Sequence, residues 1–204
     1  MYKLSRKNAY FWLLLFVLLL GTYFRLYRLR QIPNSLSADE VAFAYNAYSI
    51  LKTGRDEFGN YLPLHFRSFD DYKNPVLVYT LVPFISVFGL NDWAIRLPSV
   101  LTGVGVIWFS FLITFELTRS KKTALVIAFL ASISPWLIQY SRVAIDMNIA
   151  LFFALWGTWL WLKGKYKSVA YFLAVIFLGL AFYSYHASKI WVILFSVCLL
   201  LFTW

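Results

Sequence analysis

One cysteine, two histidines and nine acidic residues are all that this 204-residue chain contains of those types. A lone Cys198 excludes an intramolecular disulfide and any cysteine-based metal knuckle. Charged residues make up 14% of the chain, well below the roughly 25% of a soluble domain. No glycine-rich phosphate loop occurs, which excludes a nucleotide cradle of that kind, and neither an internal repeat nor a low-complexity segment is present.

Apolar surface is what the chain has in abundance: 61% of residues are hydrophobic, 21% are aromatic, and the mean hydropathy is +0.68. This is the composition of a membrane protein. In a soluble chain the net charge of +10 would point to nucleic acid. Here the basic residues cluster between apolar runs, so they orient the chain in a bilayer, and nucleic acid is not an expected partner.

The apolar runs cover residues 9–26, 76–90, 97–118, 123–140, 147–162, 168–185 and 190–204. A helix crosses the hydrocarbon with about 20 apolar residues. The first run follows Lys3, Arg6 and Lys7 as a signal peptide would, but GTYFRLYRL offers no small-x-small cleavage site, and Tyr10, Trp12, Tyr23 and Tyr27 suit interfacial anchors. It reads as a retained span. Three basic clusters, Lys3/Arg6/Lys7, Arg119/Lys121/Lys122 and Lys163/Lys165/Lys167, fall on one side only if the short run 76–90, broken by Pro83, does not cross. The expected fold is therefore an all-α polytopic membrane protein with about six transmembrane helices. Its N-terminus is cytoplasmic, and residues 27–96 form a first extracytoplasmic loop with short amphipathic and re-entrant helices.

That topology gathers eight of the nine acids and both histidines on the outer face. Ionisable groups beside a membrane tend to mark function. In SLSADEVAFAYNAY, Ser37 and Glu40 have capping-box spacing, so Glu40 has a structural partner at a helix start. Phe43, Asn46 and Ile50 share a helix side with Asp39, opposite Val41, Tyr45 and Tyr48. Two readings stand for Asp39: a carboxylate favoured by the helix dipole, worth about 0.3–1 kcal/mol, or a catalytic acid. In SFDDYKNPVLVY, Asn74-Pro75 fits N-cap and N1 of a helix. Asp70, Asp71, Tyr72 and Lys73 then sit where the chain returns to the membrane surface, as a lipid-phosphate site or as a snorkelling lysine beside exposed acids. Arg142 and Asp146 have the spacing of a helical ion pair. His186 and Lys189 end a span, and Arg96 anchors the start of another. Lys73, Arg96, Arg142 and Lys189 thus converge as cations on one side of the bilayer, which suits an anionic headgroup.

Four segments in order, LSADEVAFAYNA, DYKNPVLVY, FGLNDWAIRLPSVLTG and SRVAIDMN, resemble the N-terminal part of membrane glycosyltransferases that use polyprenyl-phosphate sugars. This group includes protein O-mannosyltransferases and bacterial aminoarabinose transferases, of the GT-C type. Asn74 departs from it, since relatives often carry a second proline there, and such enzymes are longer. The expectation is therefore that residues 1–204 are the N-terminal part of one such domain, with a C-terminal remainder absent. The resemblance implies that Asp39 lies at the catalytic position, as general base; Glu40 beside it is the second catalytic candidate. It further implies that Asp71, Tyr72 and Lys73 border the lipid donor, and that Arg142 and Asp146 line the same cavity. Arg96, His186 and Lys189 complete the expected phosphate-binding set. The implied partners are a polyprenyl-phosphate-linked sugar, a protein, lipid or glycan acceptor, and the bilayer of the plasma (inner) membrane, with the active site on its extracytoplasmic face. Relatives of the oligosaccharyltransferase type hold a divalent cation with an acid in the later loop. Asp146 alone is too little to predict a metal. A transporter or lipid flippase is the alternative, but it calls for acids or broken helices near mid-membrane, whereas these acids concentrate in the outer segment.

Overall fold

The computed structural model describes residues 6–68 and 71–203. Lys3 and Asp70, both named above, lie outside the described residues. The chain forms α1 (Arg6–Leu26), α2 (Ala38–Thr53), β1 (Phe66–Ser68), β2 (Asp71–Lys73), α3 (Pro75–Phe88), α4 (Asp92–Thr118), α5 (Lys121–Ile133), α6 (Pro135–Ser141), α7 (Asp146–Gly164), α8 (Ser168–Ser184) and α9 (Ser188–Thr203). Helix dominates as expected. The correction is the antiparallel hairpin β1–β2, which registers Phe66 with Lys73 and Ser68 with Asp71.

By length and apolarity two helices qualify as spans, 8–26 and α4, or three if the bent pair α5–α6 is one broken span. The remaining apolar helices, α3, α8 and most of α9, are shorter. α3 has 14 residues and rises about 21 Å, short of a hydrocarbon core of about 30 Å. It packs instead on α2, where Phe43, Ala47 and Ile50 meet Leu77, Val78, Leu81 and Ile85 in one apolar cluster. The side of α2 that carries Phe43, Asn46 and Ile50 is the buried one, while Val41 and Tyr45 on the other side stay exposed. The capping box forms as read: Ser37 accepts from the Glu40 amide and Glu40 accepts from the Ser37 amide.

Small residues let the long helices approach. Ala170, Ala174 and Ala181 of α8 are buried, and a side chain at Gly157 of α7 would press on Leu178, the small-residue packing that replaces hydrophobic drive in a membrane. Large apolar side chains point outward from the bundle, among them Phe11, Phe16 and Leu19 of α1 and Phe172 and Val175 of α8. They suit contact with lipid, and the molecule is a membrane protein.

The break between α5 and α6, bent by 59°, has a covalent cause. Pro135 has no N–H to give the Ala131 carbonyl, so α5 ends with unsatisfied acceptors. Arg25 of α1, fully buried, supplies donors: Nη2 reaches the Ala131 carbonyl at 3.4 Å and Nη1 the Ser132 carbonyl at 3.3 Å. Gly103 of α4 makes the room, since a Cβ there would stand 2.9 Å from Arg25 Nε. Arg25 was not among the candidates, and its role depends on a proline 110 positions away in the sequence.

Candidate functional site

Asp39 sits in the first turn of α2, held there by the capping box, and its side chain is 55% exposed. Lys73 ends β2, and the hairpin carries it to Asp39: Nζ lies 2.9 Å from Asp39 Oδ1 and 3.3 Å from Asp71 Oδ2. Burial works against the Lys73 charge, but the hydrogen bonds to Asp39 and Asp71 outweigh it and hold the ammonium above its ordinary pKa. The Asp71 carboxylate is held below the usual range by the Tyr72 amide first and by Lys73 next. Tyr72 is exposed, and its carbonyl accepts from His186 Nε2 at 2.6 Å, so the loop before α9 braces the strand that bears Lys73.

Asp146 opens α7, just ahead of the apolar run. Burial pushes its carboxyl up to about 6, against the pull of the Lys73 charge, and the Asp39 charge adds to the rise. Three carboxyls therefore act on one ammonium at the same end of the bundle. The register of α7 is fixed by buried Asn148, which donates to the Ser99 carbonyl and to Thr102 on α4.

Glu40, Arg96 and Arg142 are placed elsewhere. Arg96 was expected to meet the donor phosphate; instead its side chain is 1% exposed and paired with an equally buried Glu40 at 3.0 Å. Its other donors go to the carbonyls of Leu29, Pro33 and Ser35. Arg142 likewise gives its donors to the carbonyls of Phe24, Arg25 and Ile32. The chain between α1 and α2 has few backbone partners of its own, and a guanidinium fork is the side chain best shaped to satisfy several carbonyls at once. Glu40 also accepts from the Ala144 amide at 3.0 Å. It thereby ties α2, α4 and the segment before α7 into one block, with Asp39 next to it in sequence and Asp146 two residues beyond Ala144. The Glu40 carboxylate is enclosed by these donors. Lys189 is half-buried, and its side chain makes no ion pair among the described residues.

Asn74 and Pro75 occupy the N-cap and N1 positions as read, yet the Asn74 side chain makes no cap bond and is fully buried. A cleft of about 520 Å³ runs along the exposed side of α2. It reaches Ala38, beside Asp39, and Ser68, which registers with Asp71; Tyr45, Phe58 and Arg67 form its walls. Among the described residues no group of three or more His, Cys, Asp or Glu has the arrangement of a metal site.

The model of the family described as dolichyl-phosphate-mannose-protein mannosyltransferase matches residues 72–204, a segment that includes Lys73 and Asp146 and begins after Asp39. The chain is also 28% identical over 105 residues to a Bacillus subtilis (strain 168) protein named "Putative mannosyltransferase YkcB". That alignment covers 52% of this chain and 14% of the relative, so the chain spans a small part of the curated protein it matches. No solved structure matches.

Proposed function

The chain belongs to the dolichyl-phosphate-mannose-protein mannosyltransferase family, and from that premise we propose that it transfers a sugar from a polyprenyl-phosphate donor to an acceptor hydroxyl at the outer face of the plasma membrane. The observation that carries this reading is the Asp39–Lys73–Asp71 cluster, which sets a general base and a phosphate-binding cation 2.9 Å apart at one end of an apolar bundle.

In the free protein Lys73 is held by two carboxylates. A donor phosphate arriving at Lys73 replaces that contact and leaves an Asp39 oxygen open to the acceptor. Asp39 then takes the acceptor's proton while its oxygen attacks the anomeric carbon; the carbon–oxygen bond to the phosphate breaks and polyprenyl phosphate leaves. Direct displacement inverts the anomeric centre. Lys73 stabilises the charge that grows on the leaving phosphate. Asp146, within electrostatic reach of both, tunes the pair, and Lys189 is a further cation on this face that makes no ion pair among the described residues. The cleft beside Ala38 and Ser68 is the water-side approach for the acceptor. The three basic clusters in the sequence support a cytoplasmic position for the opposite end of α4.

The test is equilibrium binding of polyprenyl-phosphate mannose to the purified protein. A hydrogen bond to a charged group contributes about 1.5–3 kcal/mol, so Lys73→Gln is expected to weaken binding by about 10- to 150-fold. Unchanged affinity in a folded Lys73→Gln protein rules the assignment out.

A further inference from the structure

The basic residues at the far end of the bundle form a built cavity. α4 runs 27 residues from Asp92, and a rise of about 30 Å separates Glu116 from Arg96, the α4 residue that pairs with Glu40 beside Asp39. The Glu116 side chain is 6% exposed and is held by Arg119 Nη2 at 2.7 Å and by Lys163 Nζ at 2.6 Å. Arg119 Nη2 also donates to the Tyr166 hydroxyl at 2.7 Å, which ties the end of α4 to the turn between α7 and α8. A cavity of about 300 Å³ opens at this junction, lined by Glu116, Arg119 and Lys165 together with Trp161, Tyr166 and Tyr171.

Charge at the cavity does not balance. One carboxylate faces three cations, Arg119, Lys163 and Lys165, and Lys165 has no ion pair among the described residues. Arg119 keeps Nε and Nη1 without partners among the described residues, and its side chain is 57% exposed. The Glu116 pairs hold Arg119 and Lys163 in place before any ligand arrives. The remaining wall is Trp161, Tyr166 and Tyr171 with Leu117 and Leu162, and such aromatic side chains sit at membrane–water boundaries. From the same place the first turns of α8 present Val169 and Phe172 outward, 67% and 69% exposed, with Val175 one turn on. A soluble anion has no use for that apolar stripe.

We propose that this cavity binds the headgroup of an anionic phospholipid, with the phosphate on Arg119 and Lys165 and the acyl chains along the outer face of α8. Basic residues at a membrane surface attract anionic lipid; here the ordered Arg119 and the aromatic wall turn that attraction into a located site. The lipid joins the ends of α4, α7 and α8 and does not depend on the transfer reaction.

The experiment follows thermal unfolding of the detergent-purified protein with added phosphatidylglycerol, with phosphatidylcholine of the same chains, or with inorganic phosphate alone. A ligand that binds the native state raises the midpoint. Phosphatidylglycerol is expected to raise it by several degrees more than either of the others. Lys165→Glu removes at least half of that difference and Lys165→Gln a smaller part. Lys122→Glu, the same charge change at a residue off the cavity wall, leaves it in place, as does Asp39→Asn. The proposal is overturned if the two phospholipids act alike, if inorganic phosphate alone gives the full shift, or if the substitutions at Lys165 and Lys122 have equal effects.

Discussion

Replacing Glu40 by Gln tests how the site is held. The sequence alone suggests a mild effect, because glutamine can still bond the Ser37 amide. In the structure four donors converge on the carboxylate: Arg96 Nε and the Ala144 amide on Oε1, and Arg96 Nη2 and the Ser37 amide on Oε2. Glutamine offers one oxygen and turns an NH2 toward the other pair, and it leaves the Arg96 charge uncompensated at 1% exposure. Breaking one partner of a buried ion pair costs about 3–5 kcal/mol. At about 2–4 °C per kcal/mol for a chain of this size, the melting midpoint is expected to fall by about 6–20 °C. Asp39→Asn removes an exposed pair worth at most about 1 kcal/mol and is expected to shift the midpoint by no more than about 4 °C. The assay is detergent thermal unfolding of both variants and of Glu40→Met/Arg96→Met, which removes both charges and should recover part of the loss. A Glu40→Gln midpoint within 2 °C of wild type would refute the claim that this pair holds the site together.

Two further outcomes are expected. Burial raises the Asp146 carboxyl to about 6 from an ordinary 3.8; between those values the unfolded chain is ionised while the native chain keeps its proton. Stability therefore falls as pH rises from about 4 to 6 and is level above that, by about 3 kcal/mol in all; unfolding titrations in which Asp146→Asn keeps the wild-type slope would contradict this. Single cysteines at Asn91 and Lys122, introduced on a Cys198→Ser background, should be labelled from opposite sides of the membrane, because they flank the two ends of α4; labelling of both from one side would remove α4 from the list of spans.

Local signals were legible in the sequence, and distant partners were not. The Ser37–Glu40 box and the Asn74-Pro75 helix start each depend on residues within a turn or two, and both are found at the positions read. The second role of Glu40 depends on Arg96 and Ala144, 56 and 104 positions away, which no helical spacing reveals. Arg96 and Arg142 read as free cations because their acceptors are backbone carbonyls, invisible in a list of side chains. The hairpin escaped notice because its strands have three residues each, too few for alternation to register. Pro135 lies within the apolar run 123–140, which hydropathy alone treats as continuous, so the break and its buried Arg25 were missed together. The pairing of Asp39 with Lys73 follows from the hairpin rather than from either motif.

Turnover by Asp39→Asn, measured with polyprenyl-phosphate mannose alongside binding of the same donor, tests the central claim most directly. The substitution keeps the size of the side chain and removes its ability to take a proton. The account predicts transfer reduced at least about a hundredfold, with donor binding by Lys73 retained and the melting midpoint nearly unchanged. Near-normal turnover in the folded variant would contradict it and move the catalytic carboxyl to Asp71 or Asp146.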